Sequence, residues 1–199
     1  MAEIKFRFAK LSDAADIAEI YGYYVTNTAV SFECAPPSAE DFKKRISDTM
    51  PQYPFIVCEI DGSIAGYACA HSYRSFAAYA WGAELSIYLD KKYHSTGLGK
   101  ALYGALIELL KMMNFQTVYG IVAHPNPESD RLHKSMGFRY SGSMQKAGFK
   151  LGKWYDITNY ELAIGSYPKQ LEATLPTTSL NSQEVEKVFF DYSSRVKNS

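Results

Sequence analysis

A short glycine-containing turn between a strand-like run and a helical repeat most constrains what this chain can form. Residues 93–100 (YHSTGLGK) follow the run 84–89 (ELSIYL) and lead into apolar residues at helical spacing. A glycine-rich turn that opens a helix presents free backbone N–H groups and the positive end of the helix dipole. The turn therefore predicts a phosphate or pyrophosphate site for a phosphorylated cofactor. The alternative is a glycine-containing helix start that binds no ligand.

Two common phosphate-binding motifs do not match this turn. A P-loop requires G-x-x-x-x-G-K-[ST], but Ala101 follows Gly99-Lys100, and His94 occupies the position of the first glycine. A dinucleotide fingerprint requires G-x-G-x-x-G, but Leu102 occupies the position of the third glycine. Both motifs also normally lie in the first strand-to-helix turn, whereas this turn lies near the middle of the chain.

Length and charge limit the class of protein. The chain has 199 residues, which suits one domain or one domain with an appendage, and 47% of its residues are apolar. It carries 21 basic and 21 acidic residues. Nucleic-acid binding needs an excess of basic charge, so we expect no nucleic acid as the main partner.

The sequence also bears on compartment and metals. No stretch is long and apolar enough to predict a membrane span, and the N-terminus (MAEIK) lacks the apolar core of a signal peptide. Cys34, Cys58 and Cys69 are odd in number and widely spaced, without a C-x-x-C pair. We therefore expect no membrane partner, no disulfide framework, no metal site and a cytoplasmic location.

Strand-like runs alternate with helical segments along the chain. Asp61-Gly62 separates two β runs and predicts a tight hairpin, because this dipeptide tolerates the positive φ angles of such a turn. The strands are predicted at 4–8, 55–60, 63–70, 84–90, 117–122, near 138–145 and at 153–163.

Helix starts carry recognisable caps. Ser12 and Asp13 are predicted to cap a first helix whose buried face includes Tyr24, and Ser38 with Asp41 forms a capping-box signature for a second helix to about Thr49. A third helix follows the glycine turn. A fourth follows the turn 124–127, where Asn126 at the helix start is a candidate N-cap, and ends at about Met136, before Gly137-Phe138.

The chain changes character after residue 165. Residues 166–183 are polar and contain two prolines, and the following apolar residues mark one face of a short helix that Asn181 could cap. We therefore predict a main domain at 1–165, and a polar linker with an amphipathic C-terminal helix at 166–199. A helix with such a face docks on its own domain or on a second subunit. A frayed tail is the alternative.

With this order of elements, the sequence resembles the GNAT superfamily of acetyl-CoA-dependent N-acetyltransferases. Gly97 and Gly99 match the family motif [RQ]-x-x-G-x-[GA], whereas His94 stands where Arg or Gln is usual. The resemblance is closer to the phosphinothricin and methionine sulfoximine acetyltransferases, whose patterns are similar to 27–33 (NTAVSFE), 84–89 (ELSIYL), 126–138 (NPESDRLHKSMGF) and 152–156 (GKWYD). The resemblance covers about residues 4–163.

The resemblance implies an α/β (α+β) fold, with a mixed, mostly antiparallel sheet flanked by helices, followed here by a helical tail. It also implies acetyl-CoA as the cosubstrate, a small-molecule amine as the acceptor and a homodimer. The residues that it assigns to the cofactor are Ile87, Tyr88, Leu89, Ser95, Thr96, Gly97, Leu98, Gly99, Lys100 and Asn126. The backbone of 87–89 would pair with the pantetheine arm like an added strand, which requires a bulge or splay of the sheet that the sequence does not show.

Two residues are candidates for proton transfer. Acyl transfer to an amine requires removal of the ammonium proton, and the family uses the position of Glu84 as the base. Without the resemblance, Glu84 would be an ordinary strand-end carboxylate. His133 stands where many relatives carry a Tyr that protonates the leaving thiolate, and imidazole suits this task near neutral pH. The competing interpretation of His133 is a core histidine bonded to the backbone.

The substrate side follows from the chemistry of amino-acid analogues, which need a cationic anchor and an aromatic wall. Arg74 is the candidate anchor, and Phe32, Tyr73 and Trp154 are candidate walls; each is also compatible with packing or surface roles. We expect direct N-acetylation of a small amino-acid-like amine, because no Cys or Ser stands in a nucleophile setting. The alternatives are another amine, such as a protein N-terminus or polyamine, and a non-catalytic acyl-CoA-binding regulator.

Overall fold

Within residues 2–196, which the computed structural model describes, seven strands form one open sheet in the order β1-β2-β3-β4-β5-β7-β6. Met1 and residues 197–199, which fall at the ends of the two predicted segments, lie outside the described residues. The strands are β1 (Ile4–Phe8), β2 (Phe55–Ile60), β3 (Ser63–Ser72), β4 (Gly82–Leu89), β5 (Thr117–His124), β6 (Arg139–Lys150) and β7 (Lys153–Ala163). In the same described part of the chain, five α-helices flank the sheet: α1 (Ala14–Asn27), α2 (Ala39–Thr49), α3 (Leu98–Met112), α4 (Pro127–Ser135) and α5 (Ser182–Ser193).

The predicted mixed, mostly antiparallel sheet is confirmed, since only the pairing of β4 with β5 is parallel among the described strands. The predicted hairpin at Asp61-Gly62 joins β2 to β3, and both turn residues have positive φ angles of 49° and 79°. None of the described helices is long and apolar enough to cross a membrane.

The sheet has a separate apolar core on each face, because the central strands are buried on both sides. Ile56 and Cys58 of β2 pack with the buried face of α3, whereas Phe55 and Val57 pack with α1 and α2. Alternation along the strand sends successive side chains to opposite faces. A near-continuous apolar strand is therefore the expected pattern for a sheet that helices cover on both faces.

The feature that positions the site is the divergence of β4 from β5. Their register pairs end with Glu84 opposite Tyr119, although β4 continues to Leu89 and β5 continues to His124. Beyond Glu84, β4 stays paired with β3, and β5 stays paired with β7 as far as His124 opposite Asp156. The sheet therefore separates into two halves between β4 and β5. This separation is the splay that the family resemblance requires for the pantetheine arm.

Two local predictions were right only in part. Asp13 occupies the N-cap position of α1, but its side chain makes no cap hydrogen bond, because the carboxylate accepts from Lys10 N (2.7 Å) and pairs with Arg7 (2.7 Å). The strand predicted near 138–145 runs to Lys150, because β7 pairs with it as far as Lys150 opposite Lys153, past an irregular segment between Met144 and Gly148. The predicted caps of α2, α4 and α5 are confirmed.

The C-terminal helix packs on its own chain. Phe189 of α5 contacts Phe8 of β1 edge-on, with 5.3 Å between ring centroids, and Tyr192 lies against Gly104 of α3. The segment before α5 is held by backbone and side-chain hydrogen bonds: Trp81 Nε1 donates to Glu172 O (2.8 Å) and Leu175 N donates to Met113 O (3.0 Å). The tail therefore extends the core on the α3 side of the sheet.

Candidate active site

A cleft opens where β4 and β5 diverge. A cavity of about 310 Å³ lies beside the glycine turn, and its walls come from α1, the end of β4, the turn itself and the start of α4. Seven of the residues predicted to bind the cofactor line this cavity: Ile87, Leu89, Ser95, Gly97, Gly99, Lys100 and Asn126. A second cavity of about 60 Å³ lies between the diverging strands and reaches Tyr88 and His133. Thr96 and Leu98, also predicted to bind the cofactor, are not in the lining of the larger cavity and instead stabilise the turn.

The glycine turn has the geometry of an anion site. Gly97 is the N-cap of α3 with φ +87°, and a Cβ atom built on it would meet nothing within 4 Å. The turn is held from within, since the Thr96 hydroxyl donates to Tyr93 O (2.8 Å) and Leu98 is fully buried. The first-turn N–H groups of a helix have no intrahelical acceptor. Because they lie at the edge of an open cleft, they fit a phosphate group.

The side chains of His94 and Lys100 contact other parts of the protein. The Tyr24 hydroxyl donates to Leu89 O (2.6 Å) and accepts from His94 Nε2 (2.8 Å), while His94 Nδ1 lies 3.3 Å from the Glu128 carboxylate. Lys100 Nζ donates to Ser135 O (3.1 Å) at the end of α4. His94 therefore anchors the turn to α1, which explains how the turn keeps its shape with His94 at this position. Sequence reasoning assigned Tyr24 to the buried helix face and missed its contact with the turn.

Asn126 caps α4 as predicted, and its Oδ1 accepts from Ser129 N (3.2 Å). His133, one helical turn after Ser129, is buried. Its Nδ1 lies 2.8 Å from Ser129 O, so the proton of a neutral ring is on Nδ1. Its Nε2 accepts from the Tyr103 hydroxyl (3.3 Å) and faces Gly120, where a Cβ atom would lie only 2.2 Å away. Burial lowers the pKa of His133 below its usual value, so the ring is neutral near pH 7. Its role as a proton donor stays a prediction.

Glu84 lies in a polar row across one face of the sheet. His71 of β3, Glu84, Tyr119 of β5 and Glu161 of β7 are successive register partners, so their side chains share a face. His71 Nε2 lies 3.6 Å from Glu84 Oε1. Burial opposes a charge on His71, but the side chains of Cys69 and Glu84 outweigh it and raise the pKa of the imidazole above its ordinary value. The site thus holds a half-buried carboxylate at the point where the strands part.

A match between this chain and a protein-family model shows the family to which the chain belongs. The model described as an acetyltransferase (GNAT) domain matches residues 6–158. The chain belongs to the GNAT acetyltransferase family. The match ends before the predicted domain boundary at 165, and that boundary stays a prediction.

Individual relatives agree with this assignment. This GNAT acetyltransferase is 29% identical to a phosphinothricin N-acetyltransferase of Streptomyces viridochromogenes, over 77% of this chain and 84% of the relative. It is 30% identical to an L-methionine sulfoximine/L-methionine sulfone acetyltransferase of Salmonella typhimurium, over 81% and 95%. A crystal structure of a phosphinothricin acetyltransferase from Sinorhizobium meliloti in complex with acetyl-CoA superimposes with a TM-score of 0.82, at 32% identity, over 88% of this chain and 97% of that one.

Two residues of the predicted substrate group, Tyr73 and Arg74, connect to the polar row through Tyr119. Tyr73 stacks on Tyr119, with 3.7 Å between ring centroids, and Tyr119 is the register partner of Glu84. The Arg74 guanidinium lies over the rings of Tyr73 (5.1 Å) and Tyr79 (5.3 Å) on an exposed loop. The acetyltransferase thus presents a cation on an aromatic platform beside the polar row.

The other two predicted walls meet at the β6–β7 hairpin, since Trp154 is part of β7 and Phe32 packs against the hairpin from the loop after α1. Phe32 packs against Gly148 and lies 6.4 Å from the ring of Tyr155, whereas Trp154 is 59% exposed and contacts Phe149. Neither contact connects them to Arg74. Among residues 2–196, no group of three or more His, Cys, Asp or Glu side chains is arranged to hold a metal ion.

A buried lysine ties this hairpin to the loop after α1. Lys150 Nζ donates to Ser31 O (2.6 Å), and the Ser31 hydroxyl shares a hydrogen bond with the Tyr21 hydroxyl (2.7 Å). Burial lowers the pKa of Lys150 below its usual value. The contact joins residues 119 positions apart, and the sequence carries no local signal for it. It fixes Phe32, next to Ser31, against the hairpin.

Proposed function

We propose that this protein transfers the acetyl group of acetyl-CoA to the amine of a small amino-acid-like substrate, of the phosphinothricin or methionine sulfoximine type. The observation that carries the proposal is the divergence of β4 and β5 directly after Glu84. It opens a cleft with the glycine turn beside it, and Glu84 is the last residue of β4 that pairs with β5, although the linings of the two cavities do not include it. The activities for which these relatives are named supply the substrate class.

The cosubstrate would lie along β4. Backbone N–H groups at Gly97, Gly99 and Lys100 would hold the pyrophosphate, and the free β4 backbone near Ile87 would hold the pantetheine arm, as would the Asn126 side chain. Because the Leu89 carbonyl already accepts from Tyr24, we expect Ile87 to contribute more to this pairing than Leu89.

Glu84 would act as the base. The acceptor arrives mainly as an ammonium ion, which has no lone pair, so a proton must leave before nitrogen attacks the thioester carbonyl. Arg74 would bind the substrate carboxylate, with Tyr73 beneath it, on the row that contains Glu84. His133 is kept as the candidate donor of a proton to the thiolate; its ring would first have to gain a proton on Nε2, because in the neutral form that atom accepts from the Tyr103 hydroxyl.

Transfer is proposed to be direct, without an acyl-enzyme. Cys69 is the cysteine nearest in sequence to this site, two residues before His71 on the same face of β3. A Cys69→Ser variant should keep near wild-type turnover and release no thiol before amine is added. A burst of thiol release that requires Cys69 would refute direct transfer.

The substitution Glu84→Gln tests the base. It keeps size and polarity but removes the proton acceptor, so turnover with methionine sulfoximine or phosphinothricin should fall about 100-fold or more. The Kd of acetyl-CoA, measured by calorimetry, should stay unchanged. Turnover only with peptide N-termini or polyamines would redirect the proposal to another amine. Acetyl-CoA binding without turnover on any amine would indicate a regulator.

We infer a homodimer from the resemblance and from the surface of the hairpin. Phe149, Leu151 and Trp154 are 57–59% exposed around the β6–β7 turn, and exposed apolar clusters commonly mark protein contacts. Light scattering on the eluting protein tests this. A monomer at micromolar concentration would contradict it. The cytoplasmic location stays a prediction.

A further inference from the structure

We propose that His71 carries the proton from Glu84 to solvent during turnover; this inference rests on the proposed function. The two residues are cross-strand partners in β3 and β4, and His71 Nε2 lies 3.6 Å from Glu84 Oε1. The register places both side chains on one face of the sheet, and both residues belong to strands rather than to a loop. His71 acts through Glu84 and is a proton-relay residue rather than a group that touches the substrate.

The reaction must export a proton in every cycle. An ammonium substrate and a thioester give an amide and a thiol: the N–C bond forms, the C–S bond breaks, and the electron pair of that bond stays on sulfur. Of the three ammonium protons, one stays on the amide nitrogen and a second balances the thiol. The third is released. Glu84 takes it first and must lose it before the next substrate binds.

His71 lies on the outward side of Glu84. The Glu84 side chain is 24% exposed, whereas the His71 side chain is 44% exposed. The residues next to Glu84 in β4, Ala83 and Leu85, point to the opposite face and are buried. Among the described residues, His71 is the titratable group at ion-pair distance from Glu84. Imidazole suits a relay because one ring nitrogen can accept a proton while the other releases one.

The charges around His71 support the direction of transfer. The groups that face it are Cys69 on its own strand and Glu84 on β4, and their interactions stabilise the imidazolium. When Glu84 accepts the substrate proton, its negative charge disappears, and this support for the imidazolium is lost. His71 then releases a proton to solvent and takes the proton from Glu84, which returns the carboxylate to its basic form.

The test compares His71→Gln and His71→Ala with the wild type in the coupled thiol-release assay. Turnover by the wild type and its loss in E84Q first establish the transfer reaction itself. We expect the kcat of H71Q to fall about tenfold with an unchanged KM for acetyl-CoA. We also expect the dependence of kcat on pH to differ from that of the wild type on the basic side of the profile. In H71A, added imidazole should restore kcat in proportion to its concentration, while thermal unfolding confirms an intact fold.

Three outcomes decide the proposal. Rescue of H71A by imidazole together with a changed pH profile supports the relay. A wild-type kcat and pH profile in H71Q overturns it while the proposed function stands. A lower kcat with an unchanged pH profile and no imidazole rescue also overturns it, because it leaves His71 with a packing role only.

Discussion

Replacing Phe189 with alanine tests whether α5 is part of the cooperative core. The ring is 8% exposed and contacts Phe8 edge-on. Its loss removes a transfer free energy of about 2–3 kcal/mol. Phe189 also lines an open groove of about 630 Å³ between α5 and β1, so solvent and neighbours partly fill the space and the cavity penalty is small. We expect a total loss of about 3 kcal/mol, the low end for Phe-to-Ala changes in cores.

Phe190 is the matched control, because it is the next residue on the same helix and is 73% exposed. Phe190→Ala should change the free energy of unfolding by less than about 0.5 kcal/mol. Urea unfolding followed by circular dichroism gives both values. The Tm of the Phe189 variant should fall by about 6–12 °C. Equal effects of the two substitutions would refute the packing of α5 on β1 and α3.

Two further predictions concern the glycine turn and a buried ion pair. Gly97→Ala should cost about 1–2 kcal/mol of stability, because a φ of +87° disfavours a residue with a side chain even though the space around it is open. The substitution should also weaken acetyl-CoA binding in calorimetry. Gly62→Ala is the control: with φ +79° and equally open space it should cost the same stability and leave the Kd of acetyl-CoA unchanged. Burial raises the pKa of Asp13, but its bonds with Arg7 and Lys10 N outweigh this and lower it. The pair therefore stabilises the fold above about pH 4, and this is lost as pH falls. Because Arg7 keeps Glu59 as a partner (2.9 Å), Asp13→Asn should cost about 2 kcal/mol at pH 7, the range for hydrogen bonds to charged groups. Unfolding curves below pH 4 should show the difference shrinking, and an equal difference at both pH values would contradict this.

Local patterns were sufficient for most of the elements. The Asp61-Gly62 hairpin, the Ser38 capping box and the Asn126 and Asn181 caps depend on residues a few positions apart, and each has the predicted geometry. Asp13 shows the limit of such patterns. Its carboxylate pairs with Arg7, six residues earlier in β1, so a contact with the neighbouring strand replaces the predicted side-chain cap.

The sequence by itself determined the glycine turn, the strand before it, and the family to which their order belongs. These signals are local, since they come from backbone propensity and from the spacing of apolar residues along the chain. Only the tertiary structure decided the divergence of β4 from β5, the Tyr24–His94 anchor, the Lys150–Ser31 tie and the position of His71 beside Glu84. Strand register and packing between distant segments set these contacts, and one residue of register shift would send His71 to the other face of the sheet.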